Sequence, residues 1–210
     1  MSASERETLA RLWAPKRIRD WRLGRWTAKR ALARMGDAGV SESDRFGWAR
    51  ISIRATESGA PYAVIDEREA AWMISLSHSG EHGLCAVASR PAVVGCDVET
   101  VGRRGEEFVV DWFTEAERAW IERCASGERS RLVALVWSAK ESALKALGVG
   151  LRLDTREVQV ELTGARCPTW SSLVVCGPDG PLHGWWRADD DRVVTVVATP
   201  EPALPVELLA

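Results

Sequence analysis

The chain has 210 residues, of which 46% are hydrophobic, and a formal net charge of −2. This composition is sufficient for one large packed domain or two small ones. No apolar run approaches the roughly 18–20 residues that span a bilayer, so no membrane segment is predicted. The first seven residues lack the apolar core of a signal peptide, and the cysteines form no Cys-x-x-Cys pair, which together predict a reduced, cytoplasmic protein. The five cysteines are Cys85, Cys96, Cys124, Cys167 and Cys176.

The first predicted element is a basic helix from about Lys16 to Arg34. Its basic residues are Lys16, Arg17, Arg19, Arg22, Arg25, Lys29, Arg30 and Arg34, against the single acid Asp20. An apolar stripe of Trp21, Ala28, Leu32 and Met35 should pack on the body of the protein and leave the charges exposed. Such a face is often only solvated, but it can also hold phosphates or an acidic protein. Nucleic-acid binding is disfavoured because the rest of the chain is not basic.

A hairpin is predicted next, from Ile74 to Ala88. The segment Ile74–Gly80 followed by Leu84–Ala88 has the pattern of strand, tight turn and strand. His78 falls at the turn, where an imidazole can contact a phosphate or ribose, although a capping or core histidine fits the position equally well. A second hairpin pattern joins Gly184–Arg187 to Val193–Ala198, which gives faint support for an internal repeat.

A strand is predicted over Val94–Glu99. Asp97 and Glu99 are two residues apart, so their side chains share one face and can converge on one ion. Acidic residues at a strand end are more often simply solvated. The strand therefore offers a candidate metal site that other motifs must support.

A long helix is predicted from about Ser130 to Leu147, ended by Gly148 and Gly150. Its core stripe comprises Leu132, Leu135, Val136, Ala139, Ala143 and Ala146. Glu141 and Lys145 lie one turn apart on a neighbouring face, where a carboxylate can join an oxygen-only metal site and an ammonium can bind an anion. The alternative is a surface ion pair contributing about 0.2–0.5 kcal/mol.

Four motifs in this order resemble those of the 4′-phosphopantetheinyl transferases of the surfactin-synthetase type. They are Leu76-Ser77-His78-Ser79, Gly95-x-Asp97-x-Glu99, Phe113-Thr114-x-x-Glu117 and Trp137-x-x-Lys140-Glu141-Ser142-x-x-Lys145. The segment Arg17–Arg25 is similar to the family's N-terminal helix, from which it departs at Ile18 and Trp21. Arg54, with Gly59-Ala60-Pro61, is similar to a further family element.

The resemblance implies an α+β fold built as a pseudo-dimer of two similar halves, with the active site at their interface. We expect an N-terminal half over 1–93, with the nucleotide contacts, and a C-terminal half over 94–210, with the metal-binding motifs. A chain that builds its own interface in this way needs no second copy, so a monomer is expected.

The resemblance also implies the reaction. The phosphopantetheine arm of coenzyme A would be transferred to a serine of an apo acyl- or peptidyl-carrier protein, with release of adenosine 3′,5′-bisphosphate. Asp97, Glu99 and Glu141 would hold Mg²⁺, and Lys145 would bind the α-phosphate and stabilise the leaving group. The base is Glu141, or a metal-bound water deprotonated through Glu141 or Glu117. Lys140 lies about 100° round the helix from Glu141 and faces either the incoming serine or solvent.

The family's nucleotide-binding residues map onto Arg17, Arg25, Arg54, Ser77 and His78. A carrier protein would dock on a helix predicted from Asp111 to Cys124 and on the loop at 125–130. In the family that this chain resembles, the Trp-x-x-Lys-Glu-Ser motif is associated with broad-range enzymes of polyketide and nonribosomal-peptide secondary metabolism. Two other classes stay open: an Mg²⁺-dependent hydrolase of phosphate esters or anhydrides, and a non-catalytic module that binds a nucleotide or an acidic protein.

Overall fold

A computed structural model describes residues 1–35, 47–166 and 169–207. The chain forms two compact units, the first from Met1–Ala92 with the chain end from Val206, and the second from Val93–Pro205. Each unit combines helices with antiparallel strands, which confirms the predicted α+β class. No helix in the described ranges is long and apolar enough to cross a bilayer. Among the described residues, Cys85, Cys96, Cys124 and Cys176 form no disulfide, and Cys167 lies outside those residues.

The described residues of the first unit form two α-helices and five strands. These are α1 (Ala3–Ala10), α2 (Pro15–Arg34), β1 (Ile51–Ala55), β2 (Pro61–Ile65), β3 (Arg68–Glu69), β4 (Trp72–Ser79) and β5 (His82–Ser89). Strands β1, β2 and β3 form one antiparallel sheet, and β4 and β5 form the predicted hairpin. The predicted basic helix is confirmed as α2, with Pro15 at its first position, where a missing N–H costs nothing.

The core of the first unit lies between α2 and the strands. Ala28 and Leu32 of the predicted apolar stripe are buried against Ile51 and Ile53 of β1 and Ile74 of β4. One expected surface charge is instead internal, because Lys29 is buried.

Lys29 is held by the short helix α1, which the sequence analysis did not predict. The Lys29 ammonium lies 2.6 Å from a carboxylate oxygen of Glu5 and donates to the Trp48 carbonyl at 3.0 Å. Glu5 in turn accepts from the backbone N–H of Ile53 at 3.1 Å. Since a buried charge needs a partner, this pair fastens α1 to α2 and β1.

Within the part of the second unit that the structure describes, there are three α-helices and five strands. These are β6 (Val93–Thr100), α3 (Glu106–Trp112), α4 (Glu115–Arg123), α5 (Arg129–Ala146), β7 (Gln159–Arg166), β8 (Ser171–Gly177), β9 (Gly180–Ala188) and β10 (Arg192–Thr199). The strands form one antiparallel sheet in the order β6-β10-β9-β8-β7. Both the strand predicted over Val94–Glu99 and the helix predicted over Ser130–Leu147 are confirmed, as β6 and α5.

Helix α5 is buried well beyond its predicted core stripe, since every residue from Val133 to Lys140 is buried. The helix packs on β6 and β10 of the sheet and also contacts α4, so little of its surface is left for solvent. It ends at Gly148, whose φ of +69° allows its N–H to bond to the Lys145 carbonyl, while the N–H of Val149 bonds to Leu144.

The helix predicted from Asp111 to Cys124 is wrong as a single element. The chain is extended at Phe113 and Thr114, which separates α3 from α4. Thr114 accepts a bond from the N–H of Glu117, and the Glu117 carboxylate accepts from the N–H of Thr114. This capping box satisfies two free N–H groups at the start of α4, so Thr114 begins a new helix and does not continue the old one.

The position of β6 against α5 depends on Gly95. A Cβ at Gly95 would lie 1.9 Å from the carbonyl oxygen of Ser142 and 2.7 Å from the backbone nitrogen of Ala146. The Ser142 hydroxyl also contacts the Thr195 hydroxyl on β10 at 2.7 Å. Backbone therefore meets backbone where β6 crosses α5, and only glycine fits.

We predict that Gly95→Ala lowers the free energy of unfolding by about 1–3 kcal/mol, because the added methyl meets fixed backbone atoms of α5. Gly102→Ala is the matched control, since a Cβ there meets nothing within 4 Å, and its stability should be unchanged or raised by less than about 1 kcal/mol. Urea unfolding followed by circular dichroism measures both. Equal stability of the two variants would show that α5 can move away from β6.

Candidate active site

The candidate active site lies where β6 crosses α5. Gly95 faces α5, and alternate residues of a strand share a face, so Asp97 and Glu99 face α5 as well. Helix α5 presents Glu141 and Lys145 to them, one turn apart. The structure thus brings together the three predicted metal ligands and the predicted phosphate-binding lysine.

Lys145 is at the centre of the cluster. Its ammonium lies 2.7 Å from a carboxylate oxygen of Asp97 and 3.5 Å from one of Glu141, and it donates to the carbonyl of Cys96 at 3.2 Å. Burial lowers the pKa of Lys145, but the combined effects of Asp97, Cys96 and Glu141 outweigh it, so that its pKa is raised overall. Lys145 therefore carries its positive charge at neutral pH.

Glu99 is held by two residues to which the sequence analysis assigned no role. Arg104 donates to one oxygen of its carboxylate at 2.8 Å, and the indole N–H of Trp137 donates to the other at 3.1 Å. Trp137 opens the fourth family motif, so its place in that motif was an available signal. Arg104 lies five residues after Glu99 in no recognisable motif, and only the structure reveals it.

The three carboxylates influence one another electrostatically. Burial raises the pKa of Glu99, and the negative charge of Asp97 raises it further. Burial and the charge of Asp97 likewise raise the pKa of Glu141, against the opposing effect of Lys145. Like charges brought close together in a partly buried site favour protonation or the binding of a cation.

This donor set fits a hard divalent cation such as Mg²⁺. All the acidic donors are carboxylate oxygens, the ligands that Mg²⁺ prefers. Within the described residues, no three Asp, Glu, His or Cys side chains gather tightly enough to form a metal cage by themselves. Mg²⁺ does not require such a cage, because it keeps several waters and binds through one or two carboxylates together with substrate phosphates.

Two other residues predicted to be catalytic, Lys140 and Glu117, lie in the interior of the second unit. The Lys140 side chain is fully buried, so the prediction that it faces a serine or solvent is wrong. It lies 2.9 Å from the Glu117 carboxylate and donates to the carbonyls of Thr155 and Val158 at 2.7 and 2.6 Å.

The Glu117 carboxylate has its own set of bonds. Besides capping α4, it accepts from the backbone N–H of Val160 at 2.8 Å, and its side chain is 1% exposed. Burial lowers the pKa of Lys140, while the Glu117 charge opposes this shift. The pair joins α4 and α5 to the chain entering β7, which is a structural role.

In the first unit, Ser77 and His78 occupy opposite faces of β4. Ser77 is buried and His78 is exposed, as expected for neighbouring residues of a strand. A bond from Lys16 lowers the pKa of Asp20 on α2, and the positive charge of His78 adds to this effect. His78 therefore lies near the first turns of α2, whereas the Ser77 side chain is turned away from it.

The three arginines predicted to bind a nucleotide occupy different surroundings. Arg17 is exposed on α2. Arg25 is half-buried with its guanidinium 4.2 Å from the centre of the Trp21 ring, and burial lowers its pKa. Arg54, on β1, makes an ion pair with Glu67 at 3.0 Å.

Comparison with known proteins shows the family. Residues 93–197, half of the chain, match the family model described as the 4′-phosphopantetheinyl transferase superfamily. This segment contains β6 and α5 with every residue of the cluster between them. The chain belongs to this superfamily, and the family predicted from the sequence motifs is confirmed.

Individual relatives agree. The chain is 30% identical over 111 residues to the 4′-phosphopantetheinyl transferase gsp of Aneurinibacillus migulanus, covering 53% of this chain and 44% of that protein. It is 30% identical over 116 residues to a 4′-phosphopantetheinyl transferase of Bacillus subtilis, covering 54% and 49%. It is 32% identical over 87 residues to a holo-[acyl-carrier-protein] synthase of Shouchella clausii, covering 41% and 72%. The matches thus span less than half the length of the first two relatives.

We predict that Lys140→Met lowers the free energy of unfolding by about 3–5 kcal/mol, because it leaves the buried Glu117 charge without its cationic partner. The double variant Lys140→Met/Glu117→Gln should recover part of this loss, since it removes the unpaired charge. Urea unfolding of the two variants and the wild type measures both effects. A single variant as stable as the wild type would exclude the structural role.

We predict that Glu141→Gln is more stable than the wild type at neutral pH without divalent cations. Burial and Asp97 raise the pKa of Glu141 in the folded protein, so the folded state keeps this proton to higher pH than the unfolded chain. Wild-type stability therefore falls as the pH rises through the window just above the ordinary glutamate pKa, and the neutral variant avoids that fall.

The measurement is the unfolding free energy of both proteins from about pH 4 upward, in the presence of EDTA. The advantage of Glu141→Gln should grow as the pH rises through that window and then stay constant. An advantage that is constant over the whole range would contradict the assignment of the effect to Glu141 ionisation.

Proposed function

We propose that this protein transfers the 4′-phosphopantetheine arm of coenzyme A to a serine of an apo acyl- or peptidyl-carrier protein, with Mg²⁺ as cofactor and adenosine 3′,5′-bisphosphate as the second product. The observation that carries the proposal is the cluster of Asp97, Glu99, Glu141 and Lys145 at the crossing of β6 and α5. It lies within the segment that matches the superfamily, and the chain is similar to proteins named as a 4′-phosphopantetheinyl transferase and a holo-[acyl-carrier-protein] synthase.

Each residue of the cluster has a role that its surroundings favour. Asp97, Glu99 and Glu141 would hold Mg²⁺, which when bound neutralises the charge of the pyrophosphate of coenzyme A. Lys145, charged and next to Asp97, would bind the α-phosphate and stabilise negative charge on the leaving group. A charged amine is needed here because the leaving group gains charge as its bond to phosphorus breaks.

Glu141 is also the residue best placed to accept the serine proton. Its side chain is 26% exposed at the surface of the cluster, and its raised pKa makes it a better base than an ordinary carboxylate. Glu117, the other candidate, has both carboxylate oxygens bonded in the interior. We therefore assign the role of the base to Glu141.

The first unit is proposed to supply contacts to the nucleotide end of coenzyme A. His78 and Arg17 are exposed, and Arg25 and Arg54 are partly so, which leaves each available to a phosphate. Ser77 is the weakest candidate because its side chain is buried.

We propose that the protein works as a monomer and that its carrier belongs to polyketide or nonribosomal-peptide synthesis.

The test is incubation of the protein with coenzyme A, Mg²⁺ and a panel of apo carrier proteins, followed by intact-mass measurement. We expect each true substrate to gain the mass of one phosphopantetheine. Glu141→Gln should lose transfer by several orders of magnitude while remaining at least as stable as the wild type, since it removes a ligand and the base together. Glu107→Gln, which changes an exposed acid on α3, is the matched control and should remain active.

The other outcomes identify the rival functions. Release of adenosine 3′,5′-bisphosphate without a carrier would indicate a hydrolase of phosphate anhydrides. Binding of coenzyme A that is unaffected by Glu141→Gln, with no product from any carrier, would indicate a non-catalytic module.

A further inference from the structure

The carboxylate of Glu99 is oriented by two donors of different character. Trp137 is a neutral N–H donor to one oxygen, and Arg104 is a charged donor to the other. Each carboxylate oxygen has two lone pairs, so the oxygen bonded by Trp137 can still ligate a cation. The positive charge of Arg104, in contrast, repels a cation. The two donors therefore have opposite effects on the binding of a cation to Glu99.

Trp137 is rigidly held. It is 7% exposed, and its ring packs edge-on against Phe108 at 5.0 Å and Trp112 at 5.5 Å between centroids. The buried helix α5 fixes its backbone. An indole immobilised in this way holds its N–H in a fixed direction, which determines the orientation of the Glu99 carboxylate.

Arg104 is held more loosely. Its side chain is 25% exposed, lies in the segment between β6 and α3, and stacks with its guanidinium 4.6 Å from the centre of the Phe108 ring. This aromatic face can keep the guanidinium in place after the bond to Glu99 is broken, because cation–π attraction does not require the carboxylate. Arg104 is therefore a positive charge that a metal ion can displace.

We infer that Trp137 and Arg104 are opposing positioning residues for Glu99: the indole N–H of Trp137 orients the carboxylate toward a divalent cation, and the guanidinium of Arg104 competes with that cation for the same carboxylate. The inference rests on the proposed metal site. It adds two residues that shape the affinity of this site without touching the metal themselves.

The physical basis is the known dependence of a metal site on the partners of its ligands. Loss of a hydrogen bond that orients a ligand typically weakens metal binding by about 10–100-fold. Loss of a partly exposed competing positive charge should instead strengthen binding, by about two- to fivefold. If the two residues were only structural, their variants would not change the metal affinity in opposite directions.

The experiment is a titration of the full chain with Mn²⁺, which shares the preference of Mg²⁺ for carboxylate oxygens. Free Mn²⁺ is measured by electron paramagnetic resonance, and Mg²⁺ is then added as a competitor. Trp137→Phe keeps the ring and removes the N–H, and we expect about 10–100-fold weaker binding. Trp112→Phe changes a second indole of the same aromatic cluster and should bind as the wild type does.

Arg104→Gln provides a second, independent arm, since it alters a partly exposed side chain and does not depend on how Trp137→Phe folds. We expect tighter binding, by about two- to fivefold. Arg103→Gln removes the same formal charge from an exposed neighbour and should change the affinity less. Thermal unfolding of each variant verifies that it is folded.

The possible results distinguish a failure of this inference from a failure of the proposed function. If the wild type binds Mn²⁺ and Trp137→Phe binds equally well, the role of Trp137 is excluded while the proposed function stands. If Arg104→Gln weakens binding, the competing role of Arg104 is excluded. If the wild type binds no Mn²⁺ that Mg²⁺ displaces, the metal site of the proposed function fails together with this inference.

Discussion

The approach of β6 to α5 at Gly95 is the contact on which the candidate site depends. With no side chain at this position, the strand backbone lies against the carbonyl of Ser142, closer than any Cβ would allow. The next two residues on the same face of the strand are Asp97 and Glu99, and the next turn of the helix brings Lys145 to them. A glycine that contributes no chemistry thus sets the distances among the groups that do.

Electrostatic balance is the second constraint. Three carboxylates gather in a partly buried site, where burial raises the pKa values of Glu99 and Glu141 and the negative charge of Asp97 raises both further. In this structure Lys145 and Arg104 supply the compensating positive charge. A bound divalent cation would take over part of that compensation and leave Lys145 available for an anionic substrate. Such a cluster is expected to lower the stability of the fold, as groups retained for function often do.

Neighbouring residues of one motif serve different purposes because of helix geometry. Lys140 and Glu141 are adjacent in sequence, but about 100° of helical rotation separates their side chains. Lys140 points into the interior. There Glu117 neutralises its charge, and two backbone carbonyls accept its hydrogen bonds. Glu141 lies at the cluster with Lys145. One helix thus anchors the second unit with one residue and presents a candidate ligand with the next.

Local sequence patterns predicted the strand and the helix that carry the site, and the residue types of the site. Strand alternation placed Asp97 and Glu99 on one face, and helical spacing placed Glu141 and Lys145 one turn apart, because both periods are local properties of the backbone. Which charges are internal depends on long-range packing, which these local patterns do not encode. Lys29 and Lys140 look like surface residues in the sequence, yet each is buried beside an acid distant in the chain, Glu5 and Glu117. The contacts of Arg104 and Trp137 with Glu99 were likewise decided by packing, since no local pattern encodes a meeting between residues on different elements.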